Sequence, residues 1–228
     1  MEEESKIWYL SQINILKGLS KDQLMELGSL CGMQTLQRGE RLYLPGKPND
    51  IYFLKKGSVK LVTHSNEGEE LIQEIIQVGE IFGRLHADDV SSGMESAVAM
   101  DEIIVCFLTV NQWQDYVSKN ISLNIKVLKW IGLKIRRVER KMDLLYFKDA
   151  RTRVIELLTD LAHQIGKPKG EHIELKVRLT HEEIAQLTGN SRQSVTTLMN
   201  TLREEGLIDY DRNRITVNQP LSASVKNK

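Results

Sequence analysis

The spacing of apolar positions along this chain changes three times. Through residues 5–33 it is close to helical, with Leu16, Leu19, Leu24, Leu27 and Leu30 on one face. Ser20 stands where it would cap a helix beginning at Lys21. From Gln34 to Val110 the pattern breaks into short β-favouring runs: Arg41–Leu44, Ile51–Leu54, Val59–Val62, Leu71–Ile76 and Ile103–Leu108. Gly46, Gly57, Gly68 and Gly79 recur every 11 residues. Each interval leaves room for one strand and one turn, as the short strands of a sandwich or barrel require. The expectation for this half is an all-β domain of jelly-roll type, a double-stranded β-helix.

From Asn120 the period changes again. Ile121, Leu128, Ile135 and Met142 lie seven apart, and so do Asn124, Ile131, Val138 and Leu145, which interleaves them as a and d positions of one long helix. A register held over more than three heptads predicts a seam to a second helix, as in a homodimer, in preference to a helix laid on its own domain. Asn124 is the polar exception in that seam. A further amphipathic helix is expected from Arg151 to Ile165, broken by Gly166, Pro168 and Gly170, and Ile173–Val177 alternates as a short strand.

The next segment carries the chemistry. Thr180 with Glu183 three residues later is a capping box, so a helix starts at about His181 and ends at Gly189. Ser191 caps a second helix, with Val195, Leu198 and Leu202 expected on its inner face. Small Ala185 allows close approach of the two helices, and Gly189 supplies the turn. This is a helix-turn-helix, whose second helix can enter a major groove and present Ser191, Arg192, Gln193, Thr196 and Thr197. Leu207–Tyr210 and Arg214–Val217 then read as a β-hairpin wing, with Arg212 and Arg214 suited to phosphates.

Composition adds a polarity to this picture. Charged residues make up 27% and hydrophobic residues 41%, as in an ordinary soluble globular protein, and the 31 basic residues balance the 31 acidic ones. The balance hides an asymmetry. Residues 1–119 hold 11 basic and 18 acidic residues and the remainder 20 and 13, so a net −7 half precedes a net +7 half. The basic half is the candidate for a polyanionic partner. No stretch is long and apolar enough for a membrane span, and Met1-Glu2-Glu3-Glu4 is too acidic for a signal peptide, so a cytoplasmic location is expected. Cys31 and Cys106 are too few and too far apart in sequence for a disulfide framework or a zinc ribbon, and are expected as buried thiols.

In the order and spacing of these features, nearly everything from residue 16 to 217 resembles the CRP/FNR family of transcription regulators. The resemblance is carried by Gly39-Glu40, Leu44-Pro45-Gly46, Tyr52, Gly57-Ser58-Val59 and Gly79-Glu80-Ile81-Phe82-Gly83 in the β half, by the long helix, and by Leu179–Ile208. It implies an α+β chain: a cyclic-nucleotide-binding-like jelly roll with N-terminal helices over 1–116, a dimerisation helix over 117–146, and a winged helix-turn-helix domain over 147–228. The seam would use Ile121, Leu128, Ile131, Ile135, Val138 and Met142. Double-stranded DNA, a second copy of the chain and RNA polymerase are the expected partners; no membrane partner, metal or cofactor is expected.

Two departures bear on the effector. The family's nucleotide binders follow Phe-Gly with a ribose-holding glutamate, and place a phosphate-binding arginine before Ser/Thr-Ala. Here Phe82-Gly83 is followed by Arg84, and Glu95 precedes Ser96-Ala97. A carboxylate facing a phosphate costs roughly 4 kcal/mol at 4 Å and an effective dielectric near 20, so cyclic AMP is not the expected effector. Arg84 and Glu95 either pair inside a vestigial pocket or belong, with Glu80, Phe82, Gly83 and Ser96, to one altered for another ligand; the 86–93 loop matches nothing in the family. An iron–sulfur cluster would need four cysteines, and His86 or Cys106 alone makes a poor case for haem. Recognition of the operator should also differ, since Gln193 and Thr197 stand where the cyclic AMP receptor proteins have glutamate and arginine. A barrel that regulates a protein partner would not need the wing or Arg192, and no nucleophile motif, phosphate-cradling loop or metal cluster supports an enzyme.

Overall fold

The computed structural model describes residues 2–43, 50–65, 67, 70–83, 95–175, 177–211 and 214–218. The chain divides into two compact units, Met1–Ile135 and Arg136–Lys228. In the first, helix α1 (Glu2–Gln12), a short 3-10 turn (Asn14–Leu16) and helix α2 (Lys21–Leu30) precede eight strands: β1 (Gly32–Leu36), β2 (Arg41–Tyr43), β3 (Asp50–Lys56), β4 (Val59–His64), β5 (Glu70–Ile76), β6 (Ile81–Gly83), β7 (Glu95–Ala99) and β8 (Ile103–Thr109). Ser20 caps α2 as expected, accepting from the Gln23 amide while the Gln23 side chain returns to the Ser20 amide. The strands form two antiparallel sheets, ordered β1-β8-β3-β6 and β2-β7-β4-β5.

Each sheet needs an apolar partner for its inner face, and the two supply one another. Tyr43, Tyr52, Leu54, Val59, Leu61, Ile76, Phe82, Ala97 and Val105 bury together between them. The first sheet is covered on its outer face too. Ile51, Phe53, Cys106 and Leu108 pack there against α1, α2 and helix α3 (Val110–Lys119), so β3 is buried over five consecutive residues. Such a strand reads as a continuous apolar run with no alternation. Strands β1, β6 and β7 were not among the expected runs; their registers to β8, β3 and β4, respectively, complete the two sheets.

Helix α4 (Ile121–Phe147) has two apolar faces. Leu123, Val127 and Trp130, at helical spacing, pack onto the outer core of the first unit, and Lys134 pairs with Glu74 of β5. The heptad rows lie elsewhere on the helix: Ile121, Leu128, Ile131, Ile135, Val138 and Met142 are all exposed on the single chain.

In the second unit, helix α5 (Ala150–Ile165) is followed by β9 (Gly166–Lys169), β10 (His172–Leu175), helix α6 (His181–Thr188), helix α7 (Arg192–Glu204), β11 (Ile208–Tyr210) and β12 (Ile215–Asn218). One antiparallel sheet joins them in the order β11-β12-β10-β9. The segment expected only to break α5 is thus itself a strand. Pro168 is tolerated because β9 is an edge, where a missing N–H leaves no ladder bond unmade.

Two glycines of the first unit share a positive φ and differ in surroundings. At Gly57 (φ +81°) a Cβ would collide with the Asp101 carboxylate and lie 2.6 Å from the Glu102 carbonyl oxygen, whereas at Gly39 (φ +85°) it would meet open space. Gly57→Ala is therefore expected to cost backbone strain of about 1–3 kcal/mol plus the clash, and Gly39→Ala the strain alone. Urea unfolding of the two variants checks this; equal losses would contradict it.

Candidate nucleic-acid interface and effector pocket

The two helices of the expected motif are built from their caps. Thr180 Oγ1 accepts the Glu183 amide at 3.1 Å while the Glu183 carboxylate accepts the Thr180 amide at 2.9 Å. At the other end of α6, Gly189 adopts the left-handed conformation (φ 63°, ψ 38°) and its N–H returns to the Ala185 carbonyl. Any side chain there would strike Leu145, 2.6 Å from an added Cβ. Ser191 Oγ then accepts the Ser194 amide at 3.1 Å and starts α7. Val195, Met199 and Leu202 form its buried face. Met199 therefore takes the place expected for Leu198, which is half-exposed: the i, i+4, i+7 set centres the stripe one position further round than i, i+3, i+7 does.

The turn between the helices is held from α5. Arg153 donates through Nε to the Thr188 carbonyl (2.7 Å), through Nη1 to Lys148 (2.8 Å), and through Nη2 to the Gly189 carbonyl (3.2 Å) and the Asn190 side chain. Asn190 in turn donates to Thr188 Oγ1 at 2.9 Å. A helix C-terminus leaves carbonyls without intrahelical donors, and one planar guanidinium satisfies two of them here together with the turn's own side chain. Sequence reading missed Arg153; its sole signal was a basic residue beside the apolar row of α5.

The sequence-predicted DNA-contacting residues divide by environment. Ser191, Arg192, Gln193 and Thr197 are exposed together at the first turns of α7, while Thr196 is half-buried, its hydroxyl 3.0 Å from His181 Nδ1 and donating to the Arg192 carbonyl at 2.9 Å. Arg214 is tied to Asp211 at 2.9 Å and lies 4.0 Å from Glu174; Arg212 lies outside the described residues. Behind the helix, Tyr210 donates to Asn200 Oδ1 at 2.8 Å and Arg203 pairs with Asp209 at 2.9 Å, linking α7 to β11. His181 also packs edge-on against the Tyr210 ring. Burial and then the Arg192 charge hold its pKa below the ordinary histidine value.

In the β unit, the residues expected around an effector are mostly engaged with their own fold. Glu80 accepts the Gln77 amide at 2.9 Å, the same device by which Glu40 accepts the Gln37 amide at 2.7 Å in the other Gln-X-Gly-Glu turn. Phe82 stacks on Tyr52 (5.3 Å), which stacks on Tyr43 (5.6 Å), so an aromatic column stands between the sheets. Gly83 (φ +97°) is a glycine because a Cβ would lie 2.5 Å from the Asp50 carbonyl oxygen. Tyr43 donates to the Glu95 carboxylate at 2.6 Å. Tyr52 shares a hydrogen bond with Asp50, and burial raises the pKa of both groups. Ser96 is fully buried and bonded to His64 at 3.0 Å. Arg84, His86 and the rest of the 86–93 loop lie outside the described residues, as do Leu44-Pro45-Gly46 and Gly68. Cys106 is buried in the outer core.

A β-sandwich of this topology followed by a long helix and a winged helix-turn-helix defines a class of DNA-binding regulators. Two family models match in that order: a cyclic nucleotide-binding domain over residues 33–120 and a Crp-like helix-turn-helix domain over 152–221. The chain belongs to the CRP/FNR family of transcription regulators. Among its relatives, the global nitrogen regulator of Nostoc sp. is 28% identical over 84% of this chain and 87% of that protein. The CRP-like cAMP-activated global transcriptional regulator of Mycobacterium tuberculosis is 24% identical over 91% and 93%. A CooA mutant from Carboxydothermus hydrogenoformans shares the fold with a TM-score of 0.72 at 23% identity, covering 94% of this chain and 93% of that one. Among the described residues no helix is long and apolar enough to cross a membrane.

Two measurements probe this geometry. Arg153→Met keeps the stem but removes the charged hydrogen bonds that hold the turn; specific duplex affinity is expected to fall about tenfold, or roughly 1.4 kcal/mol, with little change on non-specific duplex. An equal loss on both would show that the turn does not set the recognition geometry. Since the His181 pKa is depressed on folding, its contribution to stability is present above the unfolded value near 6.5 and is lost as pH falls through the lower folded value. Thermal melts between pH 7.5 and 5 should show the second unit weakening on acidification, and His181→Gln should flatten that dependence.

Proposed function

We propose that the chain acts as a homodimer that sets two α7 helices into successive major grooves of a pseudo-palindromic operator, with half-sites about 34–36 Å apart. The observation that carries this reading is the pairing of an exposed polar α7 tip with the unsatisfied heptad row of α4, where Ile121 is 78%, Leu128 63% and Ile135 55% exposed. Apolar side chains repeated at a and d over more than three heptads gain free energy by burial against the same row of a second copy. In this reading Arg192 reads guanine, Gln193 favours adenine, and Thr197 meets a thymine methyl or a phosphate. Arg212 and Arg214 contact phosphates, Ser191 and Thr196 fix the helix start, and RNA polymerase is the partner through which a bound dimer acts.

The effector in this reading is not cyclic AMP, although a relative is named as cAMP-activated. The carboxylates of Glu95 and Asp50 each engage a tyrosine hydroxyl, a pattern that repels a phosphate. The regulator is either competent without a small molecule or answers to another signal, and the simplest expectation without a differential ligand is an appreciably populated DNA-competent state.

Fluorescence anisotropy with an operator duplex tests the assignment. Arg192→Ala should cost about 1–3 kcal/mol of specific binding and relax preference at one base pair. Leu128→Glu should dissociate the dimer in sedimentation and remove most operator affinity. Discrimination left intact by the first, or a dimer left intact by the second, would overturn the corresponding role. Calorimetry should find cyclic AMP affinity no better than millimolar, above about −4 kcal/mol; micromolar affinity would contradict the effector reading.

A further inference from the structure

Lys55 is the charged residue that the effector and DNA readings leave without a task. It lies on β3, is 5% exposed, and sits on the outer face of its sheet among Phe53, Cys106 and the helices that cover them. No carboxylate pairs with it among the described residues. Its ammonium instead lies 3.4 Å from Met33 Sδ and 4.2 Å from the centre of the Tyr9 ring, in the same outer core as the Cys106 thiol. A buried cation set against a thioether and an aromatic face, with no oxygen anion, is uncommon because a charge out of water ordinarily needs a paired counter-charge.

The sulfurs around it are arranged by the sheet. Met33 of β1 and Cys106 of β8 are direct cross-strand partners, so their side chains share a face. Cys31 precedes β1 in extended backbone (φ −86°, ψ 131°), two residues before Met33 and therefore on that same face. Continuing the register makes Cys31 and Cys106 diagonal neighbours, whose spacing is about 7–8 Å. Both thiols are buried in one cluster; burial first and then Cys106 push the Cys31 thiol up to about 12, and burial raises Cys106 as well, so a bound cation has to draw off both protons. A disulfide wants Cα atoms about 4.4–6.8 Å apart, so the diagonal is too wide for a direct S–S bond. It suits one ion held between two sulfurs, each at roughly the 2.3 Å typical of a metal–thiolate bond.

We propose that Cys31 and Cys106, with Met33 as a weaker third sulfur, form a binding site for one soft monovalent cation of the copper(I) or silver(I) type. Soft thiolate and thioether ligands select such ions. Each thiol gives its proton to solvent as the ion binds, so the two thiolates and one monovalent ion carry a net charge of −1. Lys55 is the counter-charge already in place beside them. The Lys6 ammonium, which donates to the carbonyls of Gly28 (3.1 Å) and Cys31 (2.8 Å), adds a second cation at the same edge.

The full-length protein, reduced and kept free of oxygen, can be titrated with copper(I) against a chromophoric copper(I) chelator, and separately with silver(I). One equivalent per chain is expected, with a near-ultraviolet thiolate-to-metal band. Cys31→Ala and Cys106→Ala should each lose that equivalent, and Lys55→Leu, which removes the charge without adding a ligand, should weaken binding by at least tenfold while leaving the stoichiometry at one. Failure of the wild-type protein to compete with the chelator would overturn the proposal whatever the variants do. So would an equivalent that survives in the Cys31→Ala/Cys106→Ala double variant, or ready formation of an internal Cys31–Cys106 disulfide under mild oxidation, which would show the spacing to be that of a direct bond. Zinc(II) offered under the same conditions should not bind above the double-variant level.

Discussion

The geometry on which DNA reading depends is decided at one residue in the left-handed conformation and one guanidinium. Gly189 turns the chain between α6 and α7 with φ 63°, a conformation that costs a side-chain-bearing residue about 1–2 kcal/mol before any clash with Leu145. Arg153 then supplies the donors that the turn's carbonyls lack. With the turn fixed, the positions of Val195, Met199 and Leu202 against α6 follow from helical periodicity. The exposed end of α7 is left with Arg192, Gln193 and Thr197, which the packing of the motif does not bury.

The same logic separates scaffold from chemistry in the β unit. Two Gln-X-Gly-Glu turns carry the same carboxylate-to-amide bond, so Glu40 and Glu80 serve the turns before they serve any ligand. The stacked Tyr43, Tyr52 and Phe82 occupy the space between the sheets, and the tyrosine hydroxyls go to carboxylates. In the proposed reading, the carboxylates of Glu95 and Asp50 turn a phosphate away from this architecture. Fold is common to the family, and the ligand is decided by a few side chains placed on it.

Much of this was legible in the sequence because the signals are local. Ser20, Thr180 and Ser191 announce their helices through residues three positions away, and each makes the bond expected of it. The heptad rows of α4 were likewise visible as a period. Non-local causes were not. Strand β6 is three residues long and exists through its pairing to β3, β9 reads as a helix breaker until β10 lies beside it, and the Leu123–Val127–Trp130 face of α4 is defined by what it covers. Arg153 and Lys55 look like ordinary surface cations in the sequence, and only packing shows that one braces a turn and the other is buried against a thioether and an aromatic ring. The set expected to contact DNA follows from the motif, but the inward turn of Thr196 and the tether of Arg214 to Asp211 depend on neighbours far along the chain or across a turn.

The central claim is that two copies of this chain read a duplex with two-fold symmetry. Selection of bound sequences from a pool of randomised duplexes, using the purified protein without added small molecules, tests it most directly. The account predicts enrichment of a pseudo-palindrome whose half-site centres are about 10–10.5 base pairs apart. Enrichment of a single asymmetric box, or no enrichment over the starting pool, would contradict it.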